Sequence, residues 1–419
     1  MTTHPRLPLP AYISVAVLAF IAVSADGYDL AIFGAAIPDL LAYPTWDLTP
    51  ARVGVIASTA IIGMCIGSIT AGLLADRYGA RRLFLACVTW FSVAMILCAA
   101  APTAELLGVA RFVAGIGLGG LGPAAIALTM SVAPEHRRNF INGVMLTGLP
   151  IGSIVAALSA LAFLEGGGWR AVFLIGGVIP LFTVVPLGVM KLRQWAPDGA
   201  QSASASTTPS TRASLRALVA GGGARALVAF IVVTACCQLL SYGLLTWLPQ
   251  IMKSSGYSLG SSLAFLIIFS IGAMAGSTTG SWIADKVGGR AVVIIGFAIG
   301  AAAIFGLSVQ LPQPLLYAAL FFAGAGSVGV QPVVYGFAAT YFPAEARGSA
   351  LGLIAGLGRI GGIFGPILGG LLAGLPALTN FSVFATIALL ASLLSWAVLT
   401  GTPDRVSRPV HSDNVAAEL

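Results

Sequence analysis

Charge is what this sequence has least of. Asp, Glu, Lys and Arg make up 8% of its 419 residues, where a soluble chain carries about 25%. Hydrophobic residues fill 58% of it, and the mean hydropathy is +0.97. Even a large soluble core needs more polar cover than this, so lipid is the solvent for most of the chain. Collagen, coiled coil, disordered hub and secreted disulfide scaffold are excluded with it. Histidine is nearly missing: His4, His136 and His411 all sit in tails or loops. An intramembrane enzyme needs a nucleophile–base or metal constellation, and the apolar stretches hold no histidine to build one. The five cysteines (Cys65, Cys87, Cys98, Cys236, Cys237) lie in apolar stretches without a CxxC pair. They read as packing residues. A Walker sequence is absent too, so ATP does not drive the molecule directly. Neither a metal nor an organic cofactor is expected.

The charge that is present sums to +7, and its placement argues against nucleic acid as a partner. Arg77, Arg81 and Arg82 form one short cluster, Arg137 and Arg138 another. They lie between apolar runs rather than along one stripe, which is how loops facing anionic lipid are built. The first residues hold Arg6 and three prolines, then run into an apolar stretch from Ala11 onward. That stretch is too long for a signal-peptide core, so the reading is a retained first span.

A membrane span needs about 20 largely apolar residues. Candidates fall near 11–37, 51–74, 83–101, 105–132, 140–164 and 170–190, then 226–251, 260–283, 291–311, 314–342, 346–372 and 378–400. Short turns of Pro, Gly, Asp and Arg separate them. The exception is the stretch from Gln201 to Ser214, mostly Ser, Thr and Ala, which reads as a flexible linker. The expected organisation is a six-helix bundle over 1–191, a cytoplasmic linker over 192–224, a second bundle over 225–401 and a cytoplasmic tail over 402–419. An even number of spans puts both termini on one side. With that side cytoplasmic, 16 of the 21 Lys and Arg face it; the outer side receives only Arg52, Arg170 and Lys253. Such asymmetry fixes the expected orientation in the cell membrane.

An internal repeat runs at an offset of 209 residues. Ala75-Asp76-Arg77-Tyr78-Gly79-Ala80-Arg81 returns as Ala284-Asp285-Lys286-Val287-Gly288-Gly289-Arg290. Gly63, Gly67, Gly115, Gly117, Gly120 and Pro123 return as Gly272, Gly276, Gly324, Gly326, Gly329 and Pro332. Pro134, Arg138, Gly143 and Gly152 return as Pro343, Arg347, Gly352 and Gly361. Two six-span halves in one orientation are the parallel repeat of a rocking transporter, whose site lies at the repeat interface near mid-membrane.

The segment Gly72 to Arg82 closes span two and opens span three. Its glycines permit a tight helix-to-helix turn, while Asp76 and the arginines can pair with neighbouring helix ends as a latch. A loop that merely satisfies the positive-inside rule is the plainer alternative, and the second copy at 284–290 favours gating. Gly72, Asp76, Arg77, Gly79 and Arg81 are the gating candidates there, with Asp285 and Arg290 in the copy. Glu135, Arg138, Glu345 and Arg347 are the candidates in the other loops on the same side. This loop resembles the signature loop of the major facilitator superfamily, and the segment Arg111 to Gly119 resembles a second signature of it. The resemblance implies an all-α membrane fold of twelve helices in two bundles. Gly117 to Gly122 is also a literal GxGxxG. A dinucleotide site would need a preceding strand and a helix starting there; here the glycines sit inside one apolar span, where close helix packing explains them.

Only Asp26 and Asp29 lie well inside any span, in the motif Asp26-Gly27-Tyr28-Asp29. Carboxylates at such depth are costly enough to be functional by default, and an i, i+3 spacing puts both on one helix face. They are the candidate proton sites, together with Arg111, which begins span four at roughly the depth of Asp29. The plainer alternative is that one acid simply neutralises Arg111 or caps a kink at Gly27. Arg359 lies near the middle of span eleven, has no acid in its own half at similar depth, and corresponds to Pro150 in the repeat. A guanidinium so placed matches a substrate carboxylate bidentately; pairing with carbonyls or water is the plainer alternative. Asp29 maps onto Gln238, and Gln238, Tyr242, Gln331 and Tyr335 are placed to offer hydrogen bonds and a stacking wall to a flat ring.

Asp26 to Asp29, Gly34, Pro38, the Arg111 helix and the segment Gly358 to Gly362 together resemble the aromatic acid:proton symporter family over about residues 11–400. That resemblance implies import of an aromatic carboxylate such as benzoate or a hydroxylated benzoate, with protons as the coupling ion and a monomer as the working unit. The charges in the spans independently favour an organic anion. A symporter of non-aromatic organic acids, a proton-coupled efflux pump and a membrane sensor without transport remain as the rivals.

Overall fold

The computed structural model describes residues 9–134, 137–195 and 223–399, with side chains at 9–12, 72, 73, 75, 76, 138–140, 165, 191–195, 344, 345 and 399 outside the described set. Most of the expected linker, the C-terminal tail and Glu135 lie outside the described residues. The described residues form helices and short turns, with no strand among them.

Among the described residues, twelve helical stretches are long and apolar enough to cross a membrane. In the first half they are Ile13–Leu41, Pro50–Ala71, Ala80–Ala100, Ala104–Val132, Ile141–Leu164 and Gly166–Met190. In the second they are Gly223–Ser254, Leu259–Val287, Gly289–Gly306, Gln313–Tyr341, Ala346–Leu372 and Ala377–Val398. The order and number match the sequence reading, and the ends differ. Span one continues to Leu41 because Pro38 sits inside the helix without ending it, and the Pro38 carbonyl still accepts from the Ala42 amide at 3.2 Å. Asp39 is thereby carried into the last turn of a span. Spans five and six join through Gly168, whose φ of 64° makes the turn between them. Span ten is broken between Ser327 and Gln331.

Two bundles result, and their internal packing repeats. Span one packs on the span five–six hairpin, span two on span four, and span three on spans four and six. Span seven packs on span eleven, span eight on span ten, and span nine on spans ten and twelve. The repeat reaches individual atoms. Gly63 lies against the Phe112 carbonyl, and Gly272 lies against the carbonyl of Phe321, its counterpart at the same offset. Gly115 meets the Ala60 carbonyl as Gly324 meets that of Phe269. A methyl group at any of the four would force two backbones apart, so these glycines set how closely the helices approach. The GxGxxG stretch is part of this packing: Gly119 lies on Met64 and Gly117 on Cys87 and Phe91. In the signature loop Gly79 and its counterpart Gly288 turn the chain with φ of 80° and 91°, values that side chains disfavour.

The two bundles are sealed at one end and parted at the other. At the end distal to the chain's start, Gly34 abuts the carbonyls of Leu245 and Thr246, and Gly54 abuts Pro366 and Gly370. The Ser58 hydroxyl donates to the Ile363 carbonyl across the interface at 2.7 Å. One face of span eleven carries Ile363, Pro366 and Gly370 into this seal. The same face continues to Gly356, Gly352 and Gly348, which are exposed and meet nothing within 4 Å. Gly122 and Gly143 of the first bundle are equally unobstructed. The interface therefore opens toward the near end.

Candidate functional site

Span one crosses span five at Gly27, which rests on the backbone of Leu149, while the Tyr28 hydroxyl donates to the Val172 carbonyl of span six at 2.8 Å. These two contacts fix the helix's rotation, and the flanking acids are aimed by it. Asp29 is buried and forms an ion pair with the buried Arg111 of span four, Nη1 donating to Oδ1. The guanidinium also lies over the Phe33 ring, 4.8 Å from its centroid. Its Nε is buried without a hydrogen-bond partner. Such a pair offsets the desolvation of both charges, and the aromatic face adds a cation–π contact.

Asp26 takes a different setting. It is half-buried, makes no hydrogen bond among the described residues, and lies within electrostatic range of Arg359 from the other bundle. Arg359 is half-buried as well, and its Nη1 donates to the Met64 carbonyl of span two at 2.9 Å. Pairing with a carbonyl, the plainer alternative for this guanidinium, is thus present, and a carboxylate of the first half lies within electrostatic range as well. Tyr242 lies near Asp26, Arg359 and Cys65, and Tyr335 near Tyr242 and Arg359. Gln331 stands beside the Tyr335 hydroxyl. Gln238 is buried one helical turn before Tyr242. A cavity of about 10 Å³, room for roughly one water, separates the two acids; Asp26, Asp29, Arg111, Tyr242, Thr246 and Pro366 are among its walls.

The structure thus gathers Asp26, Arg359, Tyr242, Tyr335 and Gln331 at the bundle interface and sets Asp29 with Arg111 behind them. Phe33, Cys65 and the Met64 carbonyl escaped the sequence reading. Phe33 stands four residues after Asp29, a spacing that shares its face and that marks it in retrospect. Cys65 departs from the packing reading of the cysteines. Cys87, Cys98 and Cys237 are buried, whereas Cys65 is half-buried beside Arg359. Asp39, at the distal end of span one, lies within electrostatic range of Lys253 at the end of span seven.

The gating candidates are only partly described. Arg77 is exposed over the Tyr78 ring, 5.4 Å from its centroid, and Asp285 is exposed without an ion pair among the described residues. Arg290 is half-buried with its Nε unpartnered, Arg81 is half-buried, and Arg347 is exposed. The side chains of Asp76, Arg138 and Glu345 lie outside the described residues, as does Glu135 altogether. At the distal end Arg170 stacks on Trp169 at 4.4 Å, donates to the Ala99 and Ala101 carbonyls, and reaches the Tyr43 hydroxyl at 3.4 Å. That last hydrogen bond holds the half-buried Tyr43 phenol below its ordinary range.

Two apolar bundles with an atom-level repeat and buried charge at and beside their interface describe a carrier. The family model of the Major Facilitator Superfamily matches residues 19–280 and 261–418. The chain belongs to that superfamily. It is 36% identical over 375 residues to a gentisate transporter of Corynebacterium glutamicum, covering 88% of this chain and 83% of that protein. It is 30% identical over 412 residues to a benzoate transport protein of Acinetobacter baylyi, covering 91% and 88%. Among solved structures, the xylose transporter XylE from E. coli in its inward open conformation superposes with a TM-score of 0.75, at 18% identity, over 94% of this chain and 98% of that one. This superfamily member is a multi-pass membrane transporter and not an enzyme.

Proposed function

We propose that the protein imports an aromatic monocarboxylate of the benzoate or hydroxybenzoate kind, in symport with protons, across the cell membrane. The observation that carries this reading is that Asp26, Arg359, Tyr242 and Tyr335, drawn from both bundles, lie within electrostatic range of one another. A planar acid asks for two things, a fork for its carboxylate and a flat wall for its ring. Arg359 supplies the first and the two tyrosines the second. Gln331 and Gln238 are the hydrogen-bonding groups available to ring hydroxyls. Relatives named for gentisate and benzoate, both aromatic acids, support the same substrate class.

The coupling follows from charge. A carboxylate arriving at Arg359 meets Asp26 already facing that guanidinium, and two anions at one cation repel unless one is protonated. Asp29 and Arg111 stand behind as the second titratable unit, reached through the one-water cavity. The proton is the only coupling species required. Both termini and the parted end face the cytoplasm in this reading, which makes the described conformation the one open to the cell interior. Residues 1–191 and 225–401 rock against each other, joined by the segment 192–224, and one chain is a complete monomeric unit because its site lies between its own halves.

The test is uptake into proteoliposomes with an acidic exterior. Labelled benzoate or gentisate should accumulate above its equilibrium level, and a protonophore should abolish that accumulation. Accumulation of a non-aromatic organic acid alone, or movement only against the imposed gradient, would transfer the protein to one of the rival classes.

A further inference from the structure

Away from the bundle interface, spans two and four leave a groove of about 540 Å³ on the flank of the first bundle, at the distal end. Val55, Ile56, Ile62, Val109 and Phe112 line it, with Gly108 in its wall. A trough of this size on a surface bathed in hydrocarbon is filled by a chain from the bilayer rather than left empty. At its rim Arg52 and Glu105 form an ion pair of 2.6 Å whose side chains are 54% and 68% exposed. Arg52 is the third residue of its helix and Glu105 the second of its own, so the pair lies where the spans begin and headgroups sit.

A lone arginine there would favour an anionic lipid. The adjacent carboxylate changes the preference, because it repels a second negative charge and attracts a positive one. Phosphate and primary ammonium side by side are the complement of Arg52 and Glu105 side by side. A quaternary ammonium carries the same charge without a hydrogen to donate. We propose that this groove is a binding site for one phosphatidylethanolamine, its acyl chain along the groove, its phosphate on Arg52 and its ammonium on Glu105. The proposal is independent of what the protein transports.

Native mass spectrometry of the full chain in detergent, titrated with phosphatidylethanolamine, phosphatidylcholine and phosphatidylglycerol, tests it. Phosphatidylethanolamine should be retained about fivefold or more over phosphatidylglycerol, with phosphatidylcholine between them. Glu105→Gln should erase that preference. Gly108→Leu fills the trough; a Cβ at Gly108 meets only the Ile56 side chain, at 3.7 Å, so the helix tolerates it. That variant should lose retention of all three lipids while its melting temperature stays unchanged. Equal retention of phosphatidylglycerol by the unaltered protein would overturn the proposal. So would a Gly108→Leu variant that holds phosphatidylethanolamine as before, or a dimer of this chain occupying the groove.

Discussion

Arg111 and Arg359 are chemically the same side chain in two different predicaments, and the difference predicts what each does. Arg111 is fully buried, committed to Asp29 and to the Phe33 face. Removing its acid leaves an uncompensated charge, which costs about 3–5 kcal/mol in a buried setting. Asp29→Asn should therefore lower the melting temperature as well as abolish proton-driven accumulation, while exchange of preloaded substrate stays measurable. A variant that accumulates substrate normally with pH would refute a proton role for Asp29. Arg359 holds one carbonyl and is half-buried, so it has capacity to spare. Arg359→Lys keeps the charge and can still reach the Met64 carbonyl, yet loses the fork. Its apparent affinity for benzoate should fall roughly tenfold, ~1.4 kcal/mol, with thermal stability nearly unchanged. The two arginines and both acids were legible in the sequence, because charge inside an apolar run announces itself. Their division of labour was not: an i, i+3 spacing places two acids on one face, and only the crossing angles of spans four and eleven decide which arginine each acid meets. The Met64 carbonyl has no signature at all, since every residue has one.

Among the helices, glycine serves two distinct purposes that one motif search cannot separate. Gly63, Gly115, Gly272 and Gly324 hold helices together within a bundle, and those contacts persist whatever the bundles do. Gly54 and Gly370 meet across the seal and touch only while the distal end is shut. Overpacking a permanent contact strains the fold, typically by about 1–3 kcal/mol, whereas overpacking a transient one tilts the conformational equilibrium. Gly370→Val should thus shorten spin-label distances across the near end, showing that the bundles have rocked the other way, at little cost in folded yield. Gly115→Val should reduce the yield and leave those distances unchanged in the molecules that fold. Span number and order were readable because each span needs its own apolar run. The break in span ten and the true end of span one were not, because a proline inside a membrane helix is tolerated when neighbours satisfy its backbone.

For the molecule as a whole, substrate and proton must arrive as a pair if an acid and a carboxylate share one guanidinium. Linkage gives the sign: binding of the anion favours the protonated acid, so binding takes up protons and tightens as pH falls. Adding benzoate to the detergent-solubilised protein in weak buffer should make the solution more alkaline. The Asp26→Asn variant should bind with less dependence on pH and take up fewer protons; unchanged uptake would move the coupling to Asp29 alone. The seal at the distal end has a further bearing on such a device. It is made of glycines, carbonyls, apolar side chains and the uncharged Ser58, Thr246 and Trp247, with the charged Asp39 and Lys253 only at its outer margin. In electrical terms it is an insulator: it offers a hydrogen ion no chain of titratable groups along which to hop, so under the proposed proton coupling an idle carrier would not short-circuit the energised membrane.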